Sequence, residues 1–231
     1  MSSHRSLVRR HRVPRRAAVP RLRDEGGFTL LELLIVITII AVLLGIAFPA
    51  FQGIQDRAKR VQAKNDLMQI VTAINAYYTE YGKYPVPGAA TTTPDDYWIV
   101  DSNNADIFNV LRANGFSWDS SSGGNLNPRR VVFMQPPFAR DANNPRGGIC
   151  PSGPNANKFY DPWGSTYRIR LDWDYDNLLT NPYSQGAGPT TLSFGVIAYS
   201  VGKDGRSNAD SNGGRYKVSG TNEDDDILSW Q

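Results

Sequence analysis

Residues 26–51 read GGFTLLELLIVITIIAVLLGIAFPAF, and from Phe28 to Phe51 the only charged side chain is Glu32. As a helix that run of about 24 residues would rise roughly 36 Å at ~1.5 Å per residue, enough to cross the hydrocarbon core of a bilayer. Immediately before it stand eight arginines (Arg5, Arg9, Arg10, Arg12, Arg15, Arg16, Arg21 and Arg23) against only Asp24 and Glu25. By the positive-inside rule such a head stays in the cytoplasm and everything after the apolar run is translocated. Hydrophobicity alone also fits a secretory signal cut after Ala47, or a plain signal anchor. Pro49 makes the first a poor cleavage site, and neither explains Glu32. A carboxylate in the outer turns of an apolar helix is costly unless neutralised or paired, so it marks a function.

The heptad Gly26-Gly27-Phe28-Thr29-Leu30-Leu31-Glu32 closely resembles the processing site of type IV pilin-like proteins. The resemblance implies that a membrane-embedded prepilin peptidase cuts between Gly27 and Phe28, removes the basic leader 1–27 and methylates the new amine on Phe28, leaving the apolar helix in place. The residues themselves carry a physical logic for this. A cut before Phe28 places a cationic amine four residues from Glu32, on the same helical face. Where such helices pack against copies of themselves, the amine of one subunit can meet the carboxylate of the next, neutralising both and setting axial register. Gly27 leaves the backbone open to close approach by the peptidase.

Beyond the filament-core segment 28–51, helical period continues through 52–85. Ile54, Ala58, Val61, Leu67, Met68, Val71, Ile74, Tyr78 and Tyr81 recur at steps of three and four, opposite Gln55, Asp56, Lys59, Arg60, Lys64, Asp66 and Gln69. The pattern predicts an amphipathic half-helix supporting a soluble body. Pro49, with Gly45 and Gly53 beside it, predicts a kink or local melting where the two halves meet. The family has a proline at the matching position, which the resemblance makes an assembly feature. Gly82-Lys83-Tyr84-Pro85 predicts the helix end, a C-cap glycine followed by proline.

After residue 27 the chain has no histidine, since His4 and His11 both lie in the head, and its only cysteine is Cys150. Ser/His/Asp and Cys/His nucleophile systems, His/Cys zinc sites and an intrachain disulfide are therefore excluded from the body. The formal charge of +3 belongs to the head: the rest carries seventeen basic against twenty acidic residues, which disfavours nucleic-acid binding. Residues 86–158 read as a loop-rich insertion holding a short helix at 106–114 and a short strand at 130–135. In 159–231, strict alternation from Tyr167 to Tyr175 predicts a half-buried strand with Tyr167, Ile169, Leu171, Trp173 and Tyr175 on one face, paired with a second strand at 191–201. Asp172, Asp174 and Asp176 mimic the opening of an EF-hand loop. Asn177 at position six and Tyr183 at position twelve argue against it, and strand alternation accounts for the same residues.

Asp161-Pro162-Trp163-Gly164, the turn Ser200 to Gly205, and the closing Asp225-Asp226-Ile227-Leu228-Ser229-Trp230 together resemble the major pseudopilins of type II secretion systems. Their implied fold is α+β, a long bent amino-terminal helix packed on a small antiparallel sheet. Their implied cofactor is a structural Ca²⁺ held by Asp204, Asp225 and Asp226 with the Val201 carbonyl, Asp224 being an additional carboxylate. The implied function is mechanical: subunits anchored in a bacterial inner membrane, body in the periplasm, assemble as a homopolymer with minor pseudopilins and an inner-membrane assembly platform. Its growth would push cargo through an outer-membrane channel. One rival is a type IV pilus subunit for adhesion, motility or DNA uptake. Another is a membrane-anchored hydrolase or glycan-binding domain using Trp98, Trp118 and carboxylates, although only Glu32, Glu80 and Glu223 remain after residue 27.

Overall fold

A computed structural model describes residues 27–86, 96–114, 125–183, 185–207, 214, 216 and 225–231. Residues 1–26 of the leader 1–27 lie outside the described residues, as do Asp224, Trp118 and Glu223. The molecule divides into two units, residues 1–49 and 50–231.

Helix α1 runs from Leu30 to Tyr81. Its backbone stays helical through Pro49, so the expected melting does not occur there; the side chains of 46–50 are outside the described set. Every large apolar side chain from Phe28 to Leu44 is exposed. Among the described residues no helix is long and apolar enough to cross a membrane. At the other end the helix stops as expected: Gly82 takes a left-handed φ of 66° and its amide donates to the Tyr78 carbonyl at 2.8 Å.

The second half of α1 buries Ala63, Leu67, Ile70, Ala73, Ile74 and Tyr77, whereas Ile54, Val61, Met68 and Tyr78 are exposed. The buried stripe is thus rotated from the predicted one. Periodicity alone leaves the face ambiguous because apolar residues sit on both flanks. The face is set by the sheet laid against it.

That sheet has four antiparallel strands: β1 (Asp96–Ile99), β4 (Arg168–Asp172), β7 (Val196–Ser200) and β8 (Ile227–Leu228), in the spatial order β1-β4-β7-β8. The pairing of 168–172 with 196–200 is the predicted one, with Ile169 opposite Ala198. One edge strand, β1, comes from inside the segment read as an insertion. Two further two-stranded ribbons pair β2 (Gly148–Ile149) with β3 (Phe159–Tyr160), and β5 (Leu179–Thr180) with β6 (Thr191–Leu192). Ile169, Leu171, Val196 and Ala198 join the helical stripe, Phe108 and Phe159 in the main core.

Strand β4 departs from its sequence reading in length and in burial. It ends at Asp172, and Tyr175 and Asn177 take left-handed φ angles of 62° and 61°. Arg170, predicted to face solvent, is only 4% exposed: its guanidinium lies 3.4 Å from the Trp98 ring centre and Nη1 donates to the Thr180 carbonyl at 2.7 Å. The sheet is covered on both faces, the second by a cluster of Leu179, Leu192 and Ile197 with Trp230 packed on it. The predicted strand at 191–201 is likewise interrupted, into β6 and β7.

Helix α2 occupies Asn104–Leu111, two residues earlier than predicted. Buried Asn104 ties it to the sheet region, donating to the Tyr167 carbonyl at 2.8 Å and accepting the Phe159 amide at 2.7 Å. Residues 130–135, expected as a strand, pair with no strand among the described residues. Their polar groups go to a helix end and a side chain instead: the Phe133 amide to the Leu111 carbonyl, and Val131 to both ends of the Asn127 amide. Lys64, half-buried on α1, clasps the end of β8 by donating Nζ to the carbonyls of Leu228, Ser229 and Gln231.

Candidate processing site and metal centre

At the amino-terminal site, Gly27 and Phe28 are exposed and precede the helix, so the bond between them is open to approach. Thr29 caps α1. Its hydroxyl accepts the Glu32 amide at 3.2 Å, while Glu32 Oε2 accepts the Thr29 amide and hydroxyl, both at 2.9 Å. This is a reciprocal capping box, and it satisfies part of the carboxylate locally. Sequence reasoning passed over Thr29, although Thr-x-x-Glu before an apolar run is the spacing that signals it. With Glu32 held at the head of an otherwise apolar, exposed helix, the segment suits packing among like helices or in lipid rather than catalysis.

The second site is built where β8 runs beside β7. Pairing Ser200 with Ile227 brings Asp225 and Asp226 against the turn that follows Val201. One carboxylate oxygen from each of Asp204, Asp225 and Asp226 lies within 4.8 Å of the others. Asp225, 4% exposed, accepts the Asp204 amide through Oδ2 at 2.8 Å, while its buried Oδ1 has no hydrogen-bond partner. Asp226 Oδ2 accepts the hydroxyl of fully buried Tyr183 at 2.6 Å. Burial, with the charge of Asp204 added, holds the Asp225 carboxyl above its usual range; amides of Asp204 and Lys203 and the charge of Arg60 only partly oppose this. A converging set of hard oxygens with one buried and unsatisfied fits a Ca²⁺ ion. Val201 directly precedes the turn and is buried.

Two supports fix this loop. Gly202 has φ +68°, and a Cβ there would sit 2.4 Å from the Asp225 carbonyl oxygen. Asp161 accepts the amides of Trp163, Gly164 and Ser165 through Oδ1 at 3.0, 2.8 and 2.9 Å and the Ser200 hydroxyl through Oδ2 at 2.6 Å. Ser200 Oγ in turn accepts the Gly202 amide at 3.1 Å. The Asp-Pro-Trp-Gly turn is therefore a brace for the acidic loop.

Among the described residues invoked for a hydrolase, two are engaged elsewhere. Glu80 pairs with Arg129, and the Trp98 ring carries Arg170.

The prokaryotic N-terminal methylation motif matches residues 22–48. The chain is 26% identical over 148 residues to type II secretion system core protein G of Klebsiella pneumoniae, covering 64% of this chain and 76% of that protein. It is 43% identical over 58 residues to type IV major pilin protein PilA of Myxococcus xanthus, covering 25% of this chain and 26% of that one. To fimbrial protein Q of Moraxella bovis it is 36% identical over 91 residues, 39% of this chain and 57% of the relative. Several matches are thus partial, the Myxococcus pilin being spanned over about a quarter of its length. No solved structure matches. With a methylation motif at the head of a long helix, a small antiparallel sheet in the body and relatives among both secretion core proteins and pilins, the chain is similar to proteins of the type IV pilin-like group, and its α+β fold is consistent with theirs.

Proposed function

We propose that the chain is a structural subunit of a type II secretion pseudopilus, polymerising through its amino-terminal helix to drive protein export across the outer membrane. The observation that carries this is the helix head: a run of exposed apolar side chains from Phe28 to Leu44 whose one charge is Glu32, four residues after the Phe28 that would carry the new amine, a spacing that supports pairing with a neighbour's terminus. The apolar run anchors the subunit in the inner membrane, its body in the periplasm, until it packs into the filament. Prepilin peptidase would act between Gly27 and Phe28. The homopolymer would meet minor pseudopilins, the assembly platform, cargo and an outer-membrane channel. Nothing in this role requires catalysis.

A Ca²⁺ ion held by Asp204, Asp225 and Asp226, with the Val201 carbonyl, would stabilise a body that one cysteine cannot cross-link. The acidic loop and the absent disulfide favour a pseudopilin over a pilus subunit; the likeness to pilins keeps the latter as the second reading.

Intact-protein mass spectrometry of the membrane-extracted chain tests the proposal. A chain that begins at Phe28 and carries one added methyl group is expected. A chain that keeps its leader, or one cut after Ala47, overturns it. Loss of secretion without loss of surface fibres on deletion then separates pseudopilus from pilus.

A further inference from the structure

Where the sequence predicts β4 to continue, the chain folds back instead, and Asp172, Asp174 and Asp176 each bring one carboxylate oxygen within 4.8 Å of the others. Alternation along a strand would have put Asp174 and Asp176 along the sheet, not on one point. Asp172 forms the floor of this group. It is 3% exposed, its Oδ2 accepts the Asn177 amide at 2.8 Å, and its buried Oδ1 has no hydrogen-bond partner among the described residues. A solvent-excluded carboxylate oxygen left bare beside two more carboxylates asks for a cation.

We propose that Asp172, Asp174 and Asp176 form a second site for a hard divalent cation, Ca²⁺ being the species that suits an all-oxygen set on a flexible loop. Asn177, at the sixth position, does what the glycine of an EF-hand loop does: it adopts a left-handed φ of 61°, which asparagine tolerates better than most residues. Tyr183 at the twelfth position supplies no carboxylate and is buried elsewhere, so the loop is a half-set completed by backbone carbonyls or water. The ion would pin the exposed segment 174–178 to the end of β4. The site is independent of the Asp204 triad and of which filament the subunit builds.

Ca²⁺ titrated calorimetrically into the detergent-solubilised full chain after chelator treatment tests this, beside Asp174→Asn/Asp176→Asn and Asp225→Asn. Both changed loop aspartates are exposed, so the double variant keeps its fold. One binding event should weaken at least about tenfold in the double variant and persist in Asp225→Asn. If the Asp204 triad binds nothing, the loop event still appears alone in the wild type. Equal stoichiometry and affinity in wild type and double variant overturn the proposal. A loop that takes up only a proton shared between Asp172 and Asp174 overturns it too, as does uptake requiring tens of millimolar Ca²⁺.

Discussion

Asp66 is a buried carboxylate on the helix, accepting the Tyr167 hydroxyl at 2.8 Å. Burial, assisted by the charge of Asp161, raises its pKa above the ordinary 3.8, the Tyr167 hydrogen bond acting the other way. The folded chain therefore holds this proton more tightly than the unfolded chain. Its contribution to stability is complete below 3.8 and is lost as pH rises through the folded value. Asp66→Asn keeps an acceptor for Tyr167 and removes the titration. Denaturant melts from pH 4 to 8 should show the variant gaining on the wild type as pH rises. Glu32 is the other decisive residue. Glu32→Val should leave cleavage and methylation at Phe28 intact by mass spectrometry while sheared-filament yield falls at least about tenfold, since an ion pair that sets register is lost with one partner. As a lone charge in an apolar run it stands out in the sequence, whereas the capping box it makes with Thr29 was passed over. Asp66 was misread as a solvent-face residue: its partner, Tyr167, is a hundred residues away, and periodicity sees only the near neighbourhood.

At the scale of elements, the acidic loop depends on its supports more than on its ligands. Gly202→Ala forces a side chain into a left-handed backbone and onto the Asp225 carbonyl, and should cost at least about 2 kcal/mol in chemical denaturation. Asp161→Ala strands three turn amides and the Ser200 hydroxyl and should cost about 3 kcal/mol, whereas Asp161→Asn, retaining acceptor oxygen, should cost less. The end of α1 and the β4–β7 pairing were readable, because each is written in local turn chemistry or strict alternation, whereas the grouping of Asp204 with Asp225 and Asp226 came only with the resemblance to pseudopilins. The second covered face of the sheet was not. It is supplied by β5, β6 and Trp230, short pieces whose two-residue strands leave no period to detect. Residues 130–135 deceived for the opposite reason: β-branched and aromatic composition suggested a ladder, but Asn127 and the end of α2 had already taken their polar groups.

For the molecule as a whole, an ion that binds only the folded body raises stability by mass action, about 2.7 kcal/mol at a hundredfold excess over its dissociation constant. Chelation should therefore lower the melting temperature of the full chain, and Asp225→Asn should reduce that response in differential scanning calorimetry, leaving the part that the Asp172 loop contributes. The clasp of Lys64 on residues 228–231 has a further consequence, in time rather than in strength. Both the edge strand β8 and the carboxylates of Asp225 and Asp226 come from the same late stretch of sequence, more than 160 residues after the lysine that secures it. Loop closure over such a separation cannot precede synthesis of that stretch. In the proposed periplasmic placement, a nascent body would wait, open-edged along β7, until residues 225–231 have followed it across the membrane. Quality control during export has a natural checkpoint there: a polypeptide stalled before that stretch presents an unpaired strand to chaperones and proteases, and a completed one does not.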